Sequence, residues 1–302
     1  CSLPFIIRHT TKNNSSEGLS LSASTWSLAT IISGLVISGL DWISAITIFD
    51  TPLKLNERTI LTIITMMSCF AIPISLKIKE NSIMSDELNS SQFSLKKSYD
   101  WYLIFKAISP LILISIGAGL TIPFVNLYFN SVFNFSFSDF SILGSITAVL
   151  VFFSSLMVPL LKKKYGYWMT IVFVQSISIC CLITLALTEL FSDNYWALYI
   201  AISAYVLRQP LMHMAHPSSN ELMMNFVGKR NQELISALSS SLWSASWFMS
   251  AKIFEWLRIL KFYYYEIFLI TAALYILGVF LYIRIIREFE NNNQYSLKYN
   301  NI

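Results

Sequence analysis

Arg208, Gln209, Pro210, His213 and His216 concentrate much of the chemistry that the sequence offers, and all lie in or at the edge of an apolar run, 195–215. Counting from Tyr195, Arg208 is 13 residues along, or about 20 Å into a helix. A charge at such a depth in hydrocarbon costs roughly 2.5–3.5 kcal/mol on insertion scales. Two roles offset that cost: anchoring an anionic substrate or a gate, or fixing helix packing with the side chain reaching towards the nearer end. Gln209, His213 and His216 recur at steps of four and three, so one helix face is polar. Pro210 lacks a backbone donor and favours a kink. Two imidazoles without a third ligand at suitable spacing do not make a zinc site. His213 suits either a proton relay or a packed position at the rim.

A second group lies in 234–256, where Ser236, Ser240, Trp243 and Trp247 fall on one stripe, with Ser244 close by. Small hydroxyls let membrane helices approach closely, whereas two tryptophans inside such a run could form a wall on which a flat or sugar-like substrate stacks. In 103–128, Gly117 and Gly119 permit close approach, Pro123 permits bending and Asn126 adds a polar group. Lys106, Asp41, Lys252 and Glu255 stand near the ends of their runs, where long side chains reach water or pair. Cys69, Cys180 and Cys181 lie in apolar stretches and read as small apolar fillers. Cys1 reads as the start of a fragment.

The elements that must position these residues follow from composition. Of 302 residues, 55% are apolar and 13% charged, with mean hydropathy +0.58. A soluble domain carries about 25% charged residues, so this chain needs a lipid-facing surface. Crossing ~30 Å of hydrocarbon takes about 20 apolar helical residues. Such runs occur at 25–47, 59–77, 103–128, 140–161, 168–189, 195–215, 234–256 and 265–286. The alternation of a membrane barrel is absent. The expected fold class is an all-α, polytopic transmembrane helix bundle with eight spans.

Loop charges orient it. Segments 1–24, 77–100, 161–168, 216–233 and 284–302 hold fourteen of the 21 Lys and Arg residues, against four in the alternate loops. The positive-inside rule then places both ends of the chain in the cytoplasm. Residues 77–100 read as a cytoplasmic linker between 1–76, with two spans, and 101–288, with six; 289–302 reads as a disordered cytoplasmic tail. The partners expected are the lipid bilayer and a small-molecule substrate, with proton coupling left open. No cofactor and no nucleic acid are called for.

Local sequence sharpens this reading. The stretch GAGLTIPFVNLYFNSVFNFSFSDFSILGSI (117–146) resembles the seventh and eighth helices of a major facilitator superfamily transporter. PLLKKKYGYW (159–168) is similar to that superfamily's loop between helices eight and nine. YVLRQPLMHMAHPSSNELMMNFVGKRNQELISALSSSLWSASW (205–247) resembles helix ten, its inner loop and helix eleven, and CSLPFIIRHTTKNNSSEGLSLSAS resembles the loop entering helix five. The eight spans would then be helices five to twelve, with helices one to four missing. In the loop motif Lys164 and Gly166 are kept, while Lys163 stands where the superfamily has an acid; the helix-five glycines are reduced to Gly34 and Gly39. The resemblance implies cavity-lining residues and breaks in the 103–128 helix, which makes Asn126 a candidate.

The function expected is secondary active transport by alternating access. Candidate substrate or gate residues are Arg208, Gln209, His213, Asn126, Ser240, Trp243 and Trp247; candidate hinges are Gly117, Gly119, Pro123 and Pro210. Arg208 hints at an anionic ligand. A membrane scaffold or decayed transporter remnant is the alternative. A membrane-embedded transferase is disfavoured because His9, His213 and His216 do not cluster with acids. No phosphate-cradling loop suggests an ATP-driven pump.

Overall fold

In the computed structural model the described residues are 2–10, 14–44, 99–299 and the isolated positions 62, 65, 66, 69 and 73. Most of the 59–77 run and of the 77–100 linker lies outside them. Helices α1 (Ser2–His9) and α2 (Ser15–Ser44) come first, and Asp41 lies on the latter. Seven more follow: α3 (Trp101–Thr121), α4 (Val125–Phe133), α5 (Phe137–Tyr167), α6 (Val174–Leu187), α7 (Tyr195–Val227), α8 (Gln232–Ile259) and α9 (Tyr264–Tyr299). No strand occurs among the described residues. The chain divides into two compact units, one of Cys1–Leu28 with Asp100–Ile302 and one of Ala29–Tyr99; in the second, α2 is described to Ser44.

Local chemistry sets the helix boundaries in the first unit. Asp100 caps α3 by accepting from the Leu103 amide at 3.1 Å, and Ser136 caps α5 by accepting from the Asp139 amide at 3.1 Å. Between α3 and α4 the chain tightens into a 3₁₀ turn at Ile122–Phe124, where Pro123 supplies no amide donor. Asn134 ends α4 in the left-handed conformation, φ 53°. Gly166 is non-helical, at φ 69° and ψ −163°, and a six-residue π-helical stretch, Trp168–Phe173, follows.

Three stretches are long and apolar enough to cross a membrane among the described residues: Trp101–Phe133, Asp139–Phe191 and Tyr264–Asn292. The 53 residues of Asp139–Phe191 would extend ~80 Å as one straight helix, far beyond a bilayer. They double back instead. Phe140 near the start packs on Phe129, and Thr188 near the end bonds the hydroxyl of neighbouring Tyr128 at 2.7 Å. Helices α7 and α8 have the length, at 33 and 28 residues, but their polar residues dilute the hydropathy.

Helix α3 packs against α8 and α9, while α7 packs against α5 and α6. Small residues allow the closest approaches. A side chain at Gly117 would meet the Tyr275 ring at 2.7 Å, and one at Gly119 would meet Ser250 Cβ at 2.6 Å. Hydroxyl pairs bridge the same seams: Ser115 to Ser246 at 2.9 Å and Thr121 to Thr271 at 3.0 Å. One end of the bundle carries aromatic packing around Tyr128, whose hydroxyl donates to the Leu185 carbonyl at 2.9 Å. The other end carries ion pairs, Lys106 with Glu288 and Lys162 with Glu221, and Ser15 donates to Glu221 at 2.6 Å.

Two expectations are corrected here. The loop read at 216–233 is helical to Val227, with Glu221 buried against Lys162 and Ser15 and with Ser218 and Ser219 buried beside it; Gly228, at φ 71°, ends the helix. The tail read as disordered continues α9 to Tyr299. Both Pro210 and Pro217 lie within α7, which continues through them, while the helix is interrupted at Ile122–Phe124 and Gly166.

Candidate functional site

Arg208 stands near the middle of α7 and is 1% exposed, the largest fully buried side chain among the described residues. Its Nη2 donates to the Tyr275 hydroxyl of α9 at 3.4 Å, and the guanidinium lies 5.9 Å from that ring's centroid. That contact is within cation–π range. The Nε is buried without a partner. Among the described residues no carboxylate lies within ion-pairing distance of Arg208. A buried charge is ordinarily paired; among the described residues this one meets a neutral hydroxyl.

Arg208 opens onto a cavity of about 80 Å³. Gln175 of α6, Gln209, His213, His216 and Tyr275 give it polar walls. Leu111, Ile114 and Ala118 of α3 and Ile122 of the following 3₁₀ turn form an apolar wall, and Trp243 of α8 closes a further side. Gln175 is 4% exposed, and its Oε1 is buried without a partner. His216 meets Trp243 edge to face at 5.5 Å, and its Nδ1 lies 3.5 Å from the Asn220 amide nitrogen. No Asp or Glu lines the cavity among the described residues. No cluster of three or more His, Cys, Asp or Glu suited to a metal occurs among them either. A wider, shallow groove of about 400 Å³ between α6 and α7, lined by Trp196, Tyr199 and Leu207, has no charged lining residue.

The candidates from sequence separate on this geometry. Arg208, Gln209, His213 and Trp243 come together in the cavity. Ser240 does not; it is exposed and donates to the Ser236 carbonyl at 3.0 Å on its own helix. Trp247 stacks obliquely on Trp243 at 6.3 Å, with its Nε1 buried and unpartnered, but does not line the cavity. Asn126, on α4, also keeps a buried unpartnered oxygen away from the cavity. Gly117 and Gly119 are points of helix contact, and Pro123 sits in the 3₁₀ turn. Lys106 pairs with Glu288, and Lys252 pairs with Glu255 at 2.9 Å. Gln175, Tyr275, Tyr282 and Asn220 escaped the sequence reading; the only signal for Gln175 and Tyr275 was a hydrogen-bonding side chain within an apolar run.

Residues 1–251 match the Major Facilitator Superfamily. No curated protein matches the chain. The crystal structure of a bacterial homologue of the iron transporter ferroportin, in its outward-facing state, is similar, with a TM-score of 0.63 and 14% identity. That likeness, one of fold, covers 93% of this chain and 66% of the other, so the chain spans about two thirds of that structure's length. The family match extends over most of the sequence, and this all-helical chain therefore belongs to the Major Facilitator Superfamily, a family of membrane transporters and not of enzymes.

Proposed function

We propose that this chain acts in secondary active transport, carrying a small solute across the bilayer by alternating access, and that the cavity around Arg208 contributes to the solute site. The carrying observation is the buried guanidinium with one neutral partner, facing a cavity in a transporter fold. Embedding such a charge is costly, and a solute that neutralises it in transit gives the charge a use. On this reading the eight apolar runs are helices five to twelve of the superfamily, both chain ends are cytoplasmic, and bending concentrates at Ile122–Phe124. His213, on the cavity wall, is the residue that could couple solute movement to protons.

The test is access from both faces. In a background with all four cysteines replaced by serine, His213→Cys is reconstituted in vesicles and exposed to a membrane-impermeant maleimide from either side. The proposal expects labelling from each face. Labelling from one face alone would contradict it and favour a non-transporting membrane scaffold.

A further inference from the structure

We infer that the cavity around Arg208 takes an organic anion, its negative group on the guanidinium and its apolar body against Ile114, Ile122 and Trp243. The inference rests on the transport reading for its physiological use, and on the geometry alone for binding. A guanidinium has five N–H donors. Here Tyr275 receives one at 3.4 Å, and Nε has no partner among the described residues although Arg208 is only 1% exposed. Donors in that state are satisfied best by a ligand oxygen bearing negative charge. Gln175, also more than nine-tenths buried, lines the same space with an unpartnered Oε1; that oxygen is an acceptor and would take a donor carried elsewhere on the ligand, not its anionic head.

The remaining walls decide what kind of anion. Inorganic phosphate or chloride would leave the α3 side and the Trp243 face without a partner. An 80 Å³ cavity receives a charged head and leaves the body to lie towards the indole. A divalent cation is disfavoured, since it would meet a guanidinium and no carboxylate among the described lining residues. The fold shared with a ferroportin homologue therefore does not transfer a metal to this cavity.

The test uses the 302-residue chain in phosphatidylcholine nanodiscs, with radiolabelled benzenesulfonate as the permanently anionic probe and benzenesulfonamide as its neutral isostere. Saturable binding is expected, with benzenesulfonamide competing about tenfold or more weakly than unlabelled benzenesulfonate. Arg208→Gln should weaken binding by about tenfold or more, Arg208→Lys should restore part of it, and Trp243→Ala should weaken it as well. The comparison of sulfonate with sulfonamide needs no variant and stands even if Arg208→Gln fails to fold. No saturable binding, equal competition by the sulfonamide, or displacement by Mn²⁺ would overturn the inference. Inorganic phosphate competing as well as benzenesulfonate would do the same by removing the apolar contribution. Displacement by phosphatidylglycerol in the disc would give the site to lipid headgroups and also overturn it. Anion binding with access to position 213 from one face would remove the transport reading alone; access from both faces without anion preference would remove this inference alone.

Discussion

The Tyr275 hydroxyl lies 3.4 Å from Nη2 of Arg208, and the ring of the same tyrosine occupies the space that a side chain at Gly117 would need. Glycine on α3 thus positions a tyrosine on α9, which in turn holds the buried cation on α7. Gly117→Ala is expected to push the ring aside, since its Cβ would come to 2.7 Å from Tyr275 Cε1. The cost should be about 1–3 kcal/mol of overpacking. Thermal unfolding in detergent would register a lower midpoint, and benzenesulfonate binding should weaken with it.

Glu221 makes a second prediction. Its side chain is 3% exposed, paired with Lys162 and bonded by Ser15, so it joins α2, α5 and α7 at one end of the bundle. Glu221→Ala would strand Lys162 and should destabilise the unit by about 3–5 kcal/mol, as removal of one partner from a buried pair does. Replacing Glu221 and Lys162 together by Met should cost much less. Unfolding midpoints of the single and double variants decide it, and equal losses in both would count against the pairing.

Gly166 adopts φ 69° and ψ −163°, a region open almost only to glycine, and it interrupts the last turn of α5 before the chain doubles back. A Cβ there meets no atom within 4 Å, so any loss in Gly166→Ala is conformational. The expected penalty is about 1–3 kcal/mol. Gly144→Ala, in open space with a helical backbone, is the control and should be neutral or slightly stabilising.

Tyr128 is fully buried, and its hydroxyl serves both Leu185 and Thr188, tying α4 to the end of α6. Tyr128→Phe keeps the aromatic packing and removes that hydroxyl. A loss of about 0.5–1.5 kcal/mol is expected, because the Leu185 carbonyl still accepts from the Thr188 hydroxyl at 2.6 Å. An unchanged midpoint would show that the hydroxyl is dispensable.

Most of the helical framework was legible because apolar runs of membrane length leave a chain little choice but helix. Arg208 was legible because a lone charge in such a run stands out, and Trp243 because of its stripe with serines. What surrounds Arg208 was not. Tyr275 is 67 residues away in sequence, and Gln175 lies on a third helix, so neither spacing nor local pattern connects them to it. The polar stretch after His216 read as a loop, although Ser218, Ser219 and Glu221 are buried on a continuing helix. Polarity alone does not distinguish a solvated loop from a helix whose polar groups are buried.

Uptake tests the account most directly. The 302-residue chain is reconstituted in liposomes and the entry of radiolabelled benzenesulfonate is followed. The account predicts saturable entry above that of protein-free liposomes, lost in Arg208→Gln and partly retained in Arg208→Lys. Entry no faster than in protein-free liposomes, or unchanged by Arg208→Gln, would contradict it.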